Sequence, residues 1–599
     1  MRTLAKKLVL VAFVLLITLL NPSGISAQEM DTPEELLLQP MAFGPTGIYD
    51  LRALDNSLDG EGVKYAVICR NFNSISDTSQ NDYRPAVNHN CFSSSQFTFY
   101  QDNKLPYGVS PHATSVCSIL FGEDQYAYHP IVGRFYYQGV VPKAQAEIFE
   151  FQHFIKNNIS LNIPPDADII TASLGDQFDR WWTRGIESLA ERYGIVVVAG
   201  IGNGTKVNDP VLYPGAGSNA IGVGVINSLN TDDLLIQLAT FALAYPENSS
   251  TGPTIDERCK PDIVAPGNCL VADISEPNKY EATGNWSSFS TPIVAGAAGL
   301  LIQKAKQESD LSMAISPYGG NCVIKALLLN SAIKLPFWHK GKLSTKDDHS
   351  TPLDYIQGAG MLNTLGAYNN LIAGRKKPGE VAVKGWDLNQ LDNKIITSNI
   401  YQIEIDDPTD KYITVTLCWN RHYEKTHPFN PLPEKNSDLR LEIWAVDSND
   451  PENTYLLDYS DSTIDNVEHI YVKADPNVMN YEMVLSINNI NNDNLDNTQR
   501  YGLAWNVTYD QNRDSNFWYD LNADGSVNMK DFDIMFNNSL NSLKSSDEYL
   551  LGDINLDGEI KADDLSTILN IIDNTNLDDN QITDSITENE DLNLVSNAN

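Results

Sequence analysis

Between about residues 43 and 374, short apolar runs alternate with stretches of helical spacing. The runs are "KYAVI", "AEIFEF", "ADIITASLG", "GIVVVAG", "AIGVGVIN" and "PDIVAPG". They are mostly apolar rather than strictly alternating, which predicts parallel strands buried on both faces and joined by crossover helices. From about residue 378 to 508 the period falls to two, in "IYQIEI", "YITVTLCW", "LRLEIWAV", "HIYVKA" and "YEMVLSI", with Asn-, Asp- and Pro-rich turns between. That pattern predicts a β-sandwich. After Trp518 two acidic loops each lead into a helical stretch, and the acidic, Asn-rich tail from about residue 574 predicts disorder. The chain therefore divides into a segment 28–41, an α/β domain 42–376, a β-sandwich 377–510, a small α unit 515–573 and a tail 574–599, after a leader 1–27.

The leader reads as an export signal. Arg2, Lys6 and Lys7 precede an apolar run at 8–20, and small residues end at Ala27. The run is shorter than the ~20 residues of a membrane span, and no later segment is long and apolar enough to cross. Export predicts a secreted, extracellular protein with no membrane span after cleavage. There are 41 basic and 78 acidic residues, a net charge of −37, which excludes the basic footprint of a nucleic-acid partner. Seven cysteines are scattered along the chain; an odd number leaves at least one unpaired within it, and the spacing suits neither a disulfide scaffold nor a zinc site. Cys259 and Cys269 flank a loop and are candidates to pair, although connectivity is not readable from spacing.

"DLNADGSVNMKD" and "DINLDGEIKADD" begin at Asp520 and Asp553, 33 residues apart. Oxygen-bearing side chains recur at loop positions one, three and five, then Gly at six and a carboxylate at twelve, the donor set of a hard cation such as Ca²⁺. Two such loops in tandem resemble a dockerin, the module that plugs cellulosomal enzymes into a cohesin of a scaffold protein. The resemblance implies two Ca²⁺ ions, a cohesin partner and association with a cellulosome. It carries over the ligands Asp520, Asn522, Asp524, Asn528 and Asp531, then Asp553, Asn555, Asp557 and Asp564, with backbone carbonyls at Ser526 and Glu559. Lys561 stands at position nine of the second loop in place of the usual Asn, so that site is expected to be weaker.

In the α/β region, "SPHATSVCSILFG" puts His112 at the start of a helical pattern, and "VVVAGIGNG" ends a buried strand with Asn203. "GNWSSFSTPIVAGAAGLL" brings serines to the head of a small-residue helix, with a proline expected in its first turn. A serine at a helix start is well placed as a nucleophile, because exposed amides there stabilise an oxyanion. In this order, with "TASLG", "CKPDIVAPG" and "YIQGAGMLN", the motifs resemble a subtilisin-like serine peptidase (a subtilase). The resemblance implies a parallel α/β fold, hydrolysis of a protein or peptide substrate without a cofactor, and a jelly-roll-like sandwich following the peptidase. It makes His112 the general base, Ser288 the nucleophile and Asn203 the oxyanion donor. Ser173, Leu174 and Gly175 would lie beside the substrate.

"GEGVKYAVICRNF" parallels the family strand that ends in the triad aspartate. Cys69 stands where that aspartate belongs, followed by an altered turn at Arg70 and Asn71. Three readings are open: a Cys69 thiolate stabilised by neighbouring cations, another carboxylate such as Asp82 or Asp102, or no substitute at all. Trp286 replaces a glycine before the nucleophile and is expected to crowd the specificity pocket. The segment from Gln28 to Gly60 is too short for the usual inhibitory prodomain. Two functions follow, an attenuated secreted endopeptidase or an inactive pseudopeptidase that binds chains in its cleft. A third, that the sandwich is a carbohydrate-binding module, finds no recognisable aromatic platform in the sequence.

Overall fold

The computed structural model describes residues 36–70, 82–102, 107–204, 211–228, 232–239, 241, 249–335, 338–341, 349–392, 394–435, 437–447, 453–488 and 498–509, with Met529, Phe532, Ser566 and Leu569 beyond them. The leader, the tail and, Met529 apart, both acidic loops thus lie outside the described residues. The domains described below all lie within Leu38–Asn599.

Seven parallel strands form the central sheet: β1 (Lys64–Cys69), β2 (Phe97–Tyr100), β3 (Gln145–Glu150), β4 (Ile169–Ala172), β5 (Val196–Gly200), β6 (Ala220–Ile226) and β7 (Ile263–Pro266). Their order across the sheet is β7-β6-β5-β4-β1-β3-β2. The chain adds strands on one side of β1 before crossing to the other. That reversal opens a crevice at the carboxyl end of β1, the usual place for a site in such sheets. Six strands coincide with the apolar runs. The seventh, "FTFY", is too short and too near polar residues to stand out.

Both faces of the sheet are covered. Tyr65, Val67 and Cys69 pack with the helices α1 (Pro111–Phe121) and α3 (Ser287–Gln307). Ala66 and Ile68 join the core under α2 (Trp181–Tyr193). The period of two in a strand decides this, so Cys69 points to the face that carries His112. The Ala/Gly stripe of α3 lets it come close. A Cβ at Gly299 would stand 1.9 Å from Tyr65 Oη, and Tyr65 Oη donates to Ala295 O at 3.0 Å.

"KPDIVAPG" does structural work beneath the site. Asp262 is buried and accepts from Gly222 N at 2.6 Å, from Lys325 Nζ at 2.8 Å and from Lys260 Nζ. Burial pulls Lys260 down to about 8, against the opposing pull of Asp262. The cluster ties α4 (Gly320–Asn330), which carries Lys325, to the sheet.

The sandwich has strands β8 (Lys384–Asp392), β9 (Ser398–Glu404), β10 (Lys411–Trp419), β11 (Leu439–Val446), β12 (Tyr455–Ser460), β13 (Val467–Lys473), β14 (Asn480–Ile487) and β15 (Thr498–Tyr509). One sheet runs β8-β15-β10-β13; the other runs β9-β14-β11-β12 with a short edge at Gly379–Glu380. The period-two pattern misses β8, β12 and β15. In β8 the buried Asp387 breaks the apolar pattern, and it is satisfied by Arg375 at 2.7 Å and Tyr401 Oη at 2.8 Å.

The sandwich packs directly on the α/β domain through α4 and α5 (Thr364–Ile372). Asn330 Nδ2 donates to Thr414 O and Ala504 O, Trp386 Nε1 donates to Leu371 O, and Asn321 and Asn420 exchange amide bonds. A Cβ at Gly502 would stand 2.5 Å from the carbonyl carbon of Cys322. All seven cysteines are buried free thiols, so Cys259 and Cys269 do not pair. Among the described residues no helix is long and apolar enough to cross a membrane, and no group of His, Cys, Asp or Glu is arranged to hold a metal.

Candidate active site

Three elements carry the named residues. The first is α1, capped by Ser110, whose Oγ accepts from Ala113 N at 3.2 Å, with Pro111 in the first turn. His112 follows at once, and its ring centroid lies 6.2 Å from that of Phe289. Phe289 is the residue after Ser288, so this contact brings His112 to the head of the helix that carries Ser288.

The second element is the head of α3. Its first helical residue is Ser287, and the preceding Trp286 makes no side-chain cap. Asn203 supplies the cap instead, its Oδ1 accepting from both Ser287 N and Ser287 Oγ at 2.8 Å. A backbone N–H can bond only to the oxygen of an amide, so this contact fixes the orientation of Asn203. The donor hydrogens of the amide are then on Nδ2. Gly202 makes the turn that delivers Asn203, with φ +114° and no room for a Cβ against Ser250 Oγ. Ser288 N–H lies in the first turn, where a helix has no carbonyl of its own to offer.

The third element is the segment after β4. Ser173 Oγ donates to Ser288 O at 2.8 Å. The reason is Pro292, which lies inside α3 and not in its first turn. Having no N–H, Pro292 leaves the carbonyl four residues earlier without its helical donor, and that carbonyl belongs to Ser288. Ser173 replaces the missing bond and fixes the nucleophile candidate to the next strand. Leu174 is buried behind it. Gly175 lies against Leu212, whose Cβ would be 2.6 Å from a Cβ at 175.

The surroundings bear on two of the candidates for the role of the missing aspartate, the Cys69 thiolate and Asp102. Burial pushes the Cys69 thiol up to about 12, so it is protonated at neutral pH and offers no thiolate. Asp102 accepts from His153 Nδ1 and Lys156 Nζ, both at 3.1 Å, and so is committed to a neighbouring helix. His112 is pulled down to about 4, first by burial and then by the positive charge of Arg70. An imidazole in that state is neutral at pH 7 and a weak base.

Trp286 folds its indole back over its own loop, where Nε1 would be 2.4 Å from a Cβ at Gly284, and stays 38% exposed. Sequence reasoning misses two groups. Arg70 reads there only as part of an altered turn, although a cation beside an expected base carries an electrostatic signal. Glu150, opposite Cys69 in the β1–β3 register, is buried, and its Oε2 accepts from His153 N at 2.8 Å. An acid closing the run "AEIFE" is the visible clue.

The profile of the subtilase family matches residues 54–360, more than half of the chain. The chain belongs to the subtilase family. Pyrolysin of Pyrococcus furiosus is 30% identical over 231 residues, 35% of this chain and 15% of pyrolysin. Serine protease AprX of Bacillus subtilis is 32% identical over 160 residues, 23% of this chain and 34% of AprX. The minor extracellular protease Epr of Bacillus subtilis is 27% identical over 266 residues, 43% of this chain and 34% of Epr. The chain thus spans about a third or less of the length of these relatives.

Proposed function

We propose that this subtilase is an exported serine endopeptidase, attenuated by Cys69 at the triad aspartate position and tethered to a cellulosomal scaffold by a C-terminal dockerin. The observation that supports the peptidase reading best is the convergence of Asn203, Ser173 and His112 on the first turn of α3. Ser288 Oγ attacks the scissile carbonyl carbon while His112 takes its proton. The oxyanion is stabilised by Asn203 Nδ2 and the Ser288 N–H. Collapse expels the amine, which receives the proton from His112, and water then hydrolyses the acyl-enzyme by the same steps. Cys69 sits where a carboxylate would hold the imidazole tautomer and stabilise the imidazolium. Replacing Ser288 with Ala should abolish cleavage of a generic peptide. Cleavage that survives unchanged would move the chemistry elsewhere.

A pseudopeptidase is the second reading, and one observation favours it. A histidine held near 4 beside Arg70, with a protonated thiol at the position of the triad carboxylate, is a poor base. For the tether, the ligand positions of both acidic loops offer only oxygen donors apart from Lys561, the chemistry Ca²⁺ takes. Bound Ca²⁺ would neutralise and order each loop, and cohesin docking would depend on it.

A further inference from the structure

A cleft of about 340 Å³ lies where the sandwich meets the α/β domain, lined in part by α4 and α5. Its floor is one cross-strand row of the sandwich. Lys384 pairs with Asn506, Asn506 with Thr414, and Thr414 with Tyr471. Ser331, at the end of α4, closes the opposite wall. Tyr509, 61% exposed, stands at the mouth.

Two polar side chains in this cleft are more than nine-tenths buried and lack a protein partner. They are Ser331 through Oγ, 8% exposed, and Asn506 through Oδ1, 9% exposed. Leaving such groups unsatisfied is costly, so something polar is expected between the walls. Beside them Lys384 is half-buried, and burial lowers its pKa. An amide oxygen accepts only, an ammonium donates only, and a hydroxyl does either. A ligand satisfying all three must carry a donor for Asn506 next to an acceptor for Lys384. A simple anion fails this test, because Asn506 Oδ1 would repel it. A vicinal diol passes, and the tyrosine at the mouth offers an aromatic face for the C–H side of a sugar ring. The volume lies at the small end of ligand pockets.

We propose that this cleft binds the terminal unit of a neutral saccharide, its vicinal hydroxyls held by Asn506, Ser331 and Lys384. The proposal is independent of whether Ser288 cleaves peptides. The test is calorimetric titration of the full-length protein with cellobiose, maltose, xylobiose and lactose, and separately with sodium phosphate and acetate. At least one disaccharide should bind saturably. Asn506→Ala and Ser331→Ala, from opposite walls, should each weaken it about tenfold, the worth of one buried hydrogen bond. Thermal unfolding checks that each variant folds. Tyr509→Ala, on an exposed residue, should weaken the same sugar and gives a readout if the buried variants do not fold. The proposal falls if none of the four sugars binds, which would assign the orphaned groups to ordered water. It falls equally if phosphate or acetate binds in their place, or if a sugar binds with all three variants unchanged.

Discussion

Replacing Cys69 with Asp should raise the peptidase rate, and the structure sets the range. His112 sits at about 4, against 6.5 for an unperturbed imidazole. A carboxylate at hydrogen-bond distance raises a histidine by roughly 1–3 pH units, returning it to about 5–7 and fixing its tautomer. The gain in kcat is bounded by the ~10⁴ that a triad carboxylate is typically worth, and at least tenfold is expected. The pocket resists the change, since burial moves the Cys69 thiol from 9.0 to about 12. Comparable burial would lift a carboxyl from near 4 to about 7, so the assay belongs near pH ~8.5, where the introduced carboxylate would be ionised. The pH profile supplies a second signature. In the natural protein kcat/KM should hold until about pH 4 and fall below it, as His112 takes up a proton. In the variant that acid limb should move upward. An unchanged or lower rate, with cleavage still dependent on Ser288, would refute the reasoning that the missing acceptor limits catalysis.

Three further outcomes are expected. Asn203→Ala should lower kcat by ~10²–10³ through loss of an oxyanion donor, measured on the same peptide with KM little changed. Asp262→Asn should cost about 3–5 kcal/mol in denaturant unfolding, because it strands the buried Lys260 and Lys325. Chelation of Ca²⁺ should abolish cohesin binding by pull-down while leaving the unfolding of the α/β domain in place; cohesin capture in excess chelator would overturn the calcium-loop reading.

The central sheet was legible because buried parallel strands are apolar on both faces, and six announced themselves as unbroken runs. Strand β8 was not, because Asp387 is tolerated only through Arg375 and Tyr401, partners distant in sequence or on another strand. Within the candidate site, His112, Asn203 and Ser288 stood out as members of local motifs. What joins them was not. The Ser173–Ser288 bond follows from Pro292 being one turn deeper than expected, and the role of Asn203 as a helix cap needs the fold of the loop after β5. The protonation of Cys69 and the neutral state of His112 depend on burial, which no local motif encodes. Nothing in the spacing of Ser331 and Asn506, 175 residues apart, hints that they face one cleft.

Whether Ser288 is an activated nucleophile is the question on which the peptidase reading rests. A fluorophosphonate probe reacts rapidly only with a serine whose proton is accepted and whose oxyanion is stabilised. Incubated with the natural full-length protein and mapped by peptide mass spectrometry, it should modify Ser288, slowly in the natural protein and faster after Cys69→Asp. Labelling at another serine, or none at Ser288 in the natural protein or the Cys69→Asp variant, would contradict the account and leave the cleft a binding surface.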